Sequence, residues 1–288
     1  MNAKSRGKLS RRGALKLIGA SSLGLGLSGA LGYTYCFRVE PFWLAIEQVQ
    51  IGIADLADGF NGFKLVCLSD FHHEPGDAIG YVDRLVERTN RLNPDVICLL
   101  GDYVYSDAHA IEPLSNSLSN LHAVHGVYAV LGNHDYWTDP EFIARELRSA
   151  GIELLVNQGV TIERAGKSIY LVGMDDGWSG EPDLKRALVS APVDAPTIVL
   201  FHEPDFADSI SVFDQVDLQI SGHSHGGQVK PFFIEAPFRP AYARRYSAGL
   251  YDVGGMQLYV TRGVGTIPPR ARFNCRPEIT ELVLSRPS

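Results

Sequence analysis

Val127-Tyr128-Ala129-Val130-Leu131-Gly132-Asn133-His134-Asp135 is the stretch that decides the fold, because it joins an apolar run to a turn of polar residues. Five apolar residues in succession predict a strand that is buried on both faces. Gly132 permits a sharp turn at the end of that strand, since it has no Cβ to clash. Asn133, His134 and Asp135 then bring an amide, an imidazole and a carboxylate to one point. The stretch therefore predicts a buried strand that ends in side chains able to bind a metal.

Four further apolar runs end in the same way, in a turn of polar residues. The chain has nine histidines, and five of them lie in these turns beside glycine or a carboxylate. A lone histidine is usually a hydrogen-bonded residue, but five at strand ends make that explanation improbable. Because ligands of an open α/β sheet bind at the carboxyl ends of its strands, we expect these turns to form one site. The candidate site residues are Asp70, His72, Asp102, Asn133, His134, Asp135, His202, His223 and His225.

The segments between the apolar runs predict helices, so strands and helices alternate along the chain. Apolar residues at helical spacing predict helices over residues 79–92, 111–122 and 140–150, and Thr138 or Asp139 caps the last one. This alternation indicates an α/β sandwich. No convincing linker follows residue 48, so we predict one catalytic domain over residues 37–288. Strands are predicted at residues 63–68, 95–100, 127–131, 152–156, 159–163, 168–173, 197–201, 216–220, 257–261 and 278–284.

In chain order the polar turns read D-x-H, G-D, G-N-H-D, H and G-H-x-H. This ordered set, within residues 60–230, resembles the calcineurin-like metallophosphoesterase superfamily. The resemblance implies a four-layered α/β/β/α sandwich that hydrolyses a phosphate ester. His202-Glu203-Pro204-Asp205 and the late Gly263-Val264-Gly265 are similar to the membrane-associated, exported bacterial phosphodiesterase branch of that superfamily.

The resemblance also implies a pair of metal ions. Mixed imidazole and oxygen ligands suit manganese, iron, zinc or cobalt better than calcium or magnesium. Asp102 would bridge the two ions, since a carboxylate has two oxygens and its charge eases the repulsion between dications. The implied ligands are Asp70, His72 and His225 for one ion, and Asn133, His202 and His223 for the other.

The catalytic roles follow from the same resemblance. A hydroxide that bridges the metals would attack phosphorus in line, because bound water loses its proton near neutral pH. His134 would donate a proton to the leaving oxygen, and Asp135 would orient that imidazole. Many relatives carry an aspartate three residues after the G-D pair, where this chain has Tyr105. This departure affects the surroundings of the metal ligands and leaves the number of ligands unchanged.

The amino terminus has the features of an export signal. Six bases and no acid lie in the first 16 residues, including adjacent Arg11 and Arg12, and residues 17–37 carry no charge. This pattern resembles a twin-arginine signal. At about 1.5 Å per helical residue the uncharged stretch would span roughly 31 Å, which is long enough to cross a bilayer once. The segment could therefore be cleaved as a signal or retained as a membrane anchor, and both alternatives stay open. We expect residues 1–36 to be read by the twin-arginine export machinery, with the catalytic domain outside the cytoplasmic membrane.

Charge and apolar residues restrict the partners of the catalytic domain. After the first 16 residues the chain has 20 Lys and Arg against 33 Asp and Glu, a formal charge of −13. Such an acidic body is unsuited to nucleic acid, whose phosphates require a basic face. The arginines of the last 50 residues are expected to form mainly surface salt bridges. The alternative is that one or two of them bind a second phosphate or an acidic headgroup. The apolar patch of residues 232–234 and Phe238 favours core packing over contact with a phospholipid or membrane.

Together these features predict an exported, dinuclear metal-dependent phosphodiesterase. An alternative within the same chemistry is a pyrophosphatase of a lipid-linked nucleotide, of the UDP-diacylglucosamine type. The apolar patch favours that alternative, whereas a folded-export signal does not, since that substrate lies on the cytoplasmic leaflet. A non-catalytic metal-dependent scaffold is the alternative of another class. The presence of all seven implied ligands and His134 argues against it.

Overall fold

The computed structural model describes residues 11–12 and 26–287. Most of the predicted signal, including Lys4, Arg6, Lys8 and Lys16, lies outside the described residues. Residues 26–34 are helical and exposed, and they lead into a π-helical turn, Tyr35–Val39, and a 3-10 turn, Glu40–Phe42. Over the described ranges, no helix combines the length and the apolar character that a membrane crossing requires.

Two six-stranded mixed sheets form the centre of the molecule. The first has the order β1-β12-β2-β3-β4-β5, and the second has the order β10-β11-β9-β8-β7-β6. Within each sheet four consecutive strands run parallel, from β2 to β5 and from β11 to β7. The strands are β1 Ala45–Gly52, β2 Lys64–Leu68, β3 Val96–Leu99, β4 Val127–Ala129, β5 Glu153–Leu154, β6 Gln158–Arg164, β7 Lys167–Gly173, β8 Thr197–Leu200, β9 Leu218–Ser221, β10 Gly249–Val253, β11 Met256–Val260 and β12 Glu278–Ser285.

Helices connect the parallel strands and cover the outer faces of the sheets. Their apolar residues recur at helical spacing, so each helix buries one face. Of the two residues predicted to cap the helix that begins at Pro140, Asp139 is the cap. Its Oδ1 accepts a hydrogen bond from Phe142 N at 3.0 Å. The helices are α1 Gly80–Asn90, α2 Ile111–Leu118, α3 Asn133–Thr138, α4 Pro140–Ser149, α5 Leu184–Ala187 and α6 Ala207–Ile210.

Three apolar cores separate four layers. The central core joins the facing sides of the sheets, for example Leu65 and Cys98 of the first sheet with Ile198 of the second. A second core packs the other face of the first sheet against α1, α2 and α4, and a third packs the second sheet against α5 and α6. This arrangement is the predicted α/β/β/α sandwich. The strands are buried on both faces, which is why their sequences read as continuous apolar runs.

Two edge strands and one apolar patch differ from the sequence-based predictions. Neither β1 nor β10 was predicted, because both are edge strands whose alternating exposure leaves no continuous apolar run. Core packing was the wrong interpretation for residues 232–234, which are exposed, with Phe233 98% accessible. Cys67 and Cys98 are free and buried in the central core.

Candidate metal centre

The five polar turns meet at one edge of the two sheets. In the first sheet they follow β2, β3 and β4, and in the second sheet they follow β8 and β9. Because these strands run parallel within each sheet, their carboxyl ends lie side by side. All seven candidate ligands are buried at this edge: Asp70, His72, Asp102, Asn133, His202, His223 and His225.

One group of donors consists of Asp70, His72 and His225, whose donor atoms lie within 4.8 Å of one another. His225 Nε2 is 3.5 Å from Asp70 Oδ1 and 2.9 Å from His72 Nε2. Asp70 also accepts hydrogen bonds from the backbone N–H of His223 at 3.0 and 3.2 Å, which ties the first sheet to the second. The carboxylate and both imidazoles therefore converge on one point.

A second group consists of Asp102, His202 and His223, again with donor atoms within 4.8 Å. His202 Nδ1 lies 2.6 Å from the carbonyl oxygen of Leu100, and His223 Nε2 lies 2.7 Å from that of Ala241. Each carbonyl accepts the proton of one ring nitrogen, so the other nitrogen of each ring stays free as a donor to a metal.

Asp102 lies between the two groups. Its Oδ2 is 3.4 Å from His72 Nε2 and 3.2 Å from His202 Nε2. Its Oδ1 accepts the backbone N–H of His134 at 2.9 Å. One carboxylate therefore contacts an imidazole from each group, which is the position that a bridging ligand requires.

The donors fit a pair of divalent ions. Asn133 Oδ1 and His202 Nε2 are buried and have no hydrogen-bond partner. Buried polar atoms are normally paired, so orphaned donors beside two carboxylates indicate that the site is completed by a ligand. Imidazole nitrogens with carboxylate and amide oxygens form a mixed donor set that suits first-row transition metals.

Burial and charge set the protonation of these groups. Burial lowers the pKa of His72 and of His223 to about 3, which keeps both imidazoles in the neutral, metal-binding form. Burial raises the pKa of Asp70 to about 7. Burial opposes the ionisation of Asp102, but the charge of His202 outweighs it and lowers the pKa of Asp102 well below its usual range. Positive charge thus stabilises the ionised form of Asp102, whereas the burial of Asp70 favours its protonated form.

Backbone conformation aims the ligands inward. Left-handed backbone costs roughly 1–2 kcal/mol per non-glycine residue, so it persists only where surrounding contacts determine it. Five of the seven candidate ligands adopt it: Asp70 (φ 58°), His72 (φ 45°), Asp102 (φ 55°), His223 (φ 66°) and His225 (φ 51°). Such conformations concentrate at functional sites, and here each one turns a side chain back from its strand end into the cluster.

His134 lies at the edge of the cluster, and its ring is held by a backbone carbonyl. His134 Nδ1 is 2.8 Å from the carbonyl oxygen of Tyr105, and the two rings stack with centroids 4.9 Å apart. The departure at position 105 thus supplies an aromatic face, whereas the carbonyl acceptor is backbone that any residue there would present. His134 Nε2 remains available to the pocket.

Asp135 does not orient His134, which corrects the role expected from the sequence. Its carboxylate accepts hydrogen bonds from the backbone N–H groups of Asp102, Tyr103 and Gly132 at 2.9 Å each, and from Val104 at 3.4 Å. Asp135 therefore holds the turn that carries Asp102. The sequence suggested otherwise because Asp135 is adjacent to His134, whereas the helical start of α3 points the two side chains apart.

The buried guanidinium of Arg272 supports the segment that packs against Asp70. Gly265 N donates to Asp70 O at 2.8 Å, and a Cβ added to Gly263 would lie 2.7 Å from the Asp70 Cβ. Glycine is thus required where this segment touches the ligand. Arg272 is fully buried, and its guanidinium donates hydrogen bonds to the carbonyl oxygens of Arg262, Gly263, Gly265 and Cys275.

A pocket of about 450 Å³ opens onto the donors. Sequence reasoning missed two of its residues, Trp137 and Trp178, whose rings lie 5.2 Å apart and whose exposure at the rim only the structure reveals. Trp137 also lies 4.7 Å from the His134 ring. Arg239 and Arg244 line the pocket too; Arg239 pairs with Glu235 at 2.7 Å, and Arg244 makes no salt bridge with any described residue.

Comparison with known proteins gives one consistent result. The family described as calcineurin-like phosphoesterase matches residues 63–227. Phosphodiesterase YaeI of Escherichia coli K12 is 34% identical over 281 residues, covering 96% of this chain and 99% of that protein. The uncharacterized metallophosphoesterase YkuE of Bacillus subtilis 168 is 33% identical over 285 residues, covering 96% and 98%. The structure of TT1561 of Thermus thermophilus has a similar fold, with a TM-score of 0.50 and 15% identity over 70% of this chain and 90% of that one.

Proposed function

The chain belongs to the calcineurin-like phosphoesterase family and is a metal-dependent phosphoesterase, and we propose that its substrate is a phosphodiester. The observation that carries the metal-dependent chemistry is the position of Asp102, which contacts both donor groups through one oxygen and accepts the backbone N–H of His134 through the other. The nearly full-length similarity to a protein named phosphodiesterase supports the choice of a diester. The proposed metal ligands are Asp70, His72, Asp102, Asn133, His202, His223 and His225.

Different residues of this chain contribute to substrate binding and to proton transfer. Two divalent ions would neutralise the phosphate and acidify a water molecule for attack on phosphorus. Arg239 and Arg244 bring positive charge to the pocket, where guanidinium groups match the oxygens of a phosphate. His134, held through Nδ1 by the Tyr105 carbonyl, delivers a proton from Nε2 to the leaving oxygen as its bond to phosphorus breaks. The products are an alcohol and a phosphate monoester.

Hydrolysis of bis(p-nitrophenyl) phosphate by metal-reconstituted protein tests the proposal. We expect activity that is lost with a chelator and restored by manganese, iron, zinc or cobalt, and much weaker hydrolysis of p-nitrophenyl phosphate. Metal analysis should find two ions per chain in the wild type and fewer in D102N. Fully metallated protein without activity would support the non-catalytic scaffold instead, and a preference for the monoester would refute the diester.

We also propose that residues 1–36 are a twin-arginine export signal or a membrane anchor, as in an exported, membrane-associated branch of the family. The paired arginines, the uncharged stretch and the acidic body support this proposal. The catalytic domain would then occupy residues 37–288 and act outside the cytoplasmic membrane. Fractionation of cells that express the full chain tests it: R11K/R12K should retain the protein in the cytoplasm, whereas R38K should not.

A further inference from the structure

A second cavity adjoins the metal pocket, and we call it the side cavity. Its volume is about 240 Å³, compared with about 450 Å³ for the metal pocket. Five residues line both cavities, so the side cavity lies directly beside the metal pocket, next to the position of a group attached to a phosphate at the metal centre. The shared residues are His225, Phe238, Pro240, Ile267 and Pro268.

The side cavity is lined mainly by apolar groups and offers a ligand almost no hydrogen-bonding partner. Beyond the shared wall it is lined by the apolar side chains of Val229, Pro237 and Pro269. Its two neutral polar side chains already have partners. Gln228 exchanges two hydrogen bonds with the backbone of Ile267, both at 2.9 Å, and the hydroxyl of Ser224 donates to Ser247 O at 2.6 Å. An apolar group therefore suits this cavity, whereas a polar group would lose its water without compensation.

The part of the metal pocket around His134 has a different chemistry. Tyr105, His134, Trp137 and Trp178 line the metal pocket and are absent from the side cavity. Because His134 is the group that protonates the leaving oxygen, the leaving alcohol lies on this aromatic side. The substituent that stays on phosphorus is then the one able to reach the side cavity.

We propose that the side cavity binds a hydrocarbon chain, namely the alkyl substituent that remains on the phosphate after hydrolysis. This inference rests on the proposed phosphodiesterase function. Water adds to phosphorus, the bond between phosphorus and the leaving oxygen breaks, and His134 gives that oxygen a proton. The alkyl phosphate and the free alcohol are the two products. The substrate is accordingly an amphiphilic phosphodiester with one apolar ester group.

A series of alkyl p-nitrophenyl phosphates tests the side cavity in the metal-reconstituted full chain. Nitrophenolate is always the better leaving group, so the alkyl group always stays on phosphorus. Burial of each methylene contributes up to about a fourfold gain, so kcat/KM should rise at least about tenfold from the methyl to the butyl ester. The rise should end when the cavity is full. Chains no longer than octyl keep the substrates monomeric.

Val229 and Val193 provide matched variants. V229D places a charge in the side cavity, and the butyl-to-methyl ratio of kcat/KM should fall close to one. V193D makes the same change at a fully exposed position, so the wild-type ratio should remain. If V229D does not fold, V229F fills the cavity with carbon and should lower the same ratio.

Binding gives a second readout that does not depend on turnover. Calorimetry should show that butylphosphonate binds the wild type at least about tenfold more tightly than methylphosphonate, with the preference lost in V229D. Hydrolysis of every ester at one rate would overturn the side-cavity proposal and leave the phosphodiesterase intact. A wild-type ratio in V229D would also overturn it. Failure to hydrolyse any diester would refute the proposed function, and the side-cavity proposal with it.

Discussion

Replacement of Asp135 by asparagine should lower both the free energy of unfolding and the metal content of the protein. Asp135 Oδ2 accepts the N–H groups of Asp102 and Gly132, and its Oδ1 accepts those of Tyr103 and Val104. Asparagine keeps one oxygen and replaces the other with an NH₂ group, which is a donor. Two buried N–H groups would then face a donor instead of an acceptor.

The expected loss follows from those two N–H groups. A buried donor left without a partner costs about 1–3 kcal/mol, so D135N should lower the free energy of unfolding by about 2–6 kcal/mol. Because Asp135 holds the turn that carries Asp102, the same change should displace the bridging carboxylate. Metal content should therefore fall together with stability.

Urea unfolding followed by circular dichroism, with metal analysis of the same samples, measures both effects. D139N is the matched control, since it makes the same substitution at the exposed start of α4. Asparagine is as good a helix cap as aspartate, so D139N should change stability by no more than a few tenths of a kcal/mol. If D135N kept its stability and metal and lost only turnover, Asp135 would act on His134 after all and our assignment would be wrong.

Three further predictions concern other parts of the molecule. H134N should lower turnover about 10²–10⁴-fold with an alkoxide leaving group, and less with nitrophenolate, because nitrophenolate needs no proton. Metal analysis of H134N should still find both ions, and loss of metal would refute this role. G132A places a Cβ 2.5 Å from Asp102 Oδ1, so it should cost about 1–3 kcal/mol in urea unfolding and reduce metal content, whereas G151A, next to no other atoms, should retain the metal. Burial raises the pKa of Asp217, so its contribution to stability is complete below its unfolded pKa and is lost as pH rises through the folded value. D217N should therefore be more stable than the wild type at pH 7, by up to about 0.5 kcal/mol for this partly exposed group, and should lose that advantage at pH 3; equal differences at both pH values would contradict the assignment.

The metal centre shows how far strand-end motifs can be interpreted without coordinates. The turns after β2, β3, β4, β8 and β9 were identified because each follows a continuous apolar run, which is the pattern of a strand buried on both faces. Parallel neighbours place such ends together, so the seven candidate ligands could be named from their positions in the chain. Their geometry in the structure is compatible with that set, and their role as ligands remains a proposal.

Edge strands and pocket walls were less accessible to prediction. The strand β1 pairs with β12, more than 200 residues later in the chain, and its alternating exposure resembles that of many surface segments. Trp137 lies in α3 and Trp178 lies in the loop after β7, and nothing in their local sequence marks them as neighbours. Phe233 looked like a core residue because hydrophobicity alone does not say which side of a loop faces solvent.

The sequence by itself determined the alternation of strands and helices, the order of the polar turns and the residue types available to a metal. These are local properties, since burial on both faces and sharp turns leave their mark on consecutive residues. Only the tertiary structure decided that Asp135 holds the Asp102 turn, that Tyr105 holds His134, and that an apolar cavity adjoins the metal pocket. Those contacts join segments from separate turns, and their distances depend on how neighbouring strands pair and how the two sheets pack, which no single stretch of sequence encodes.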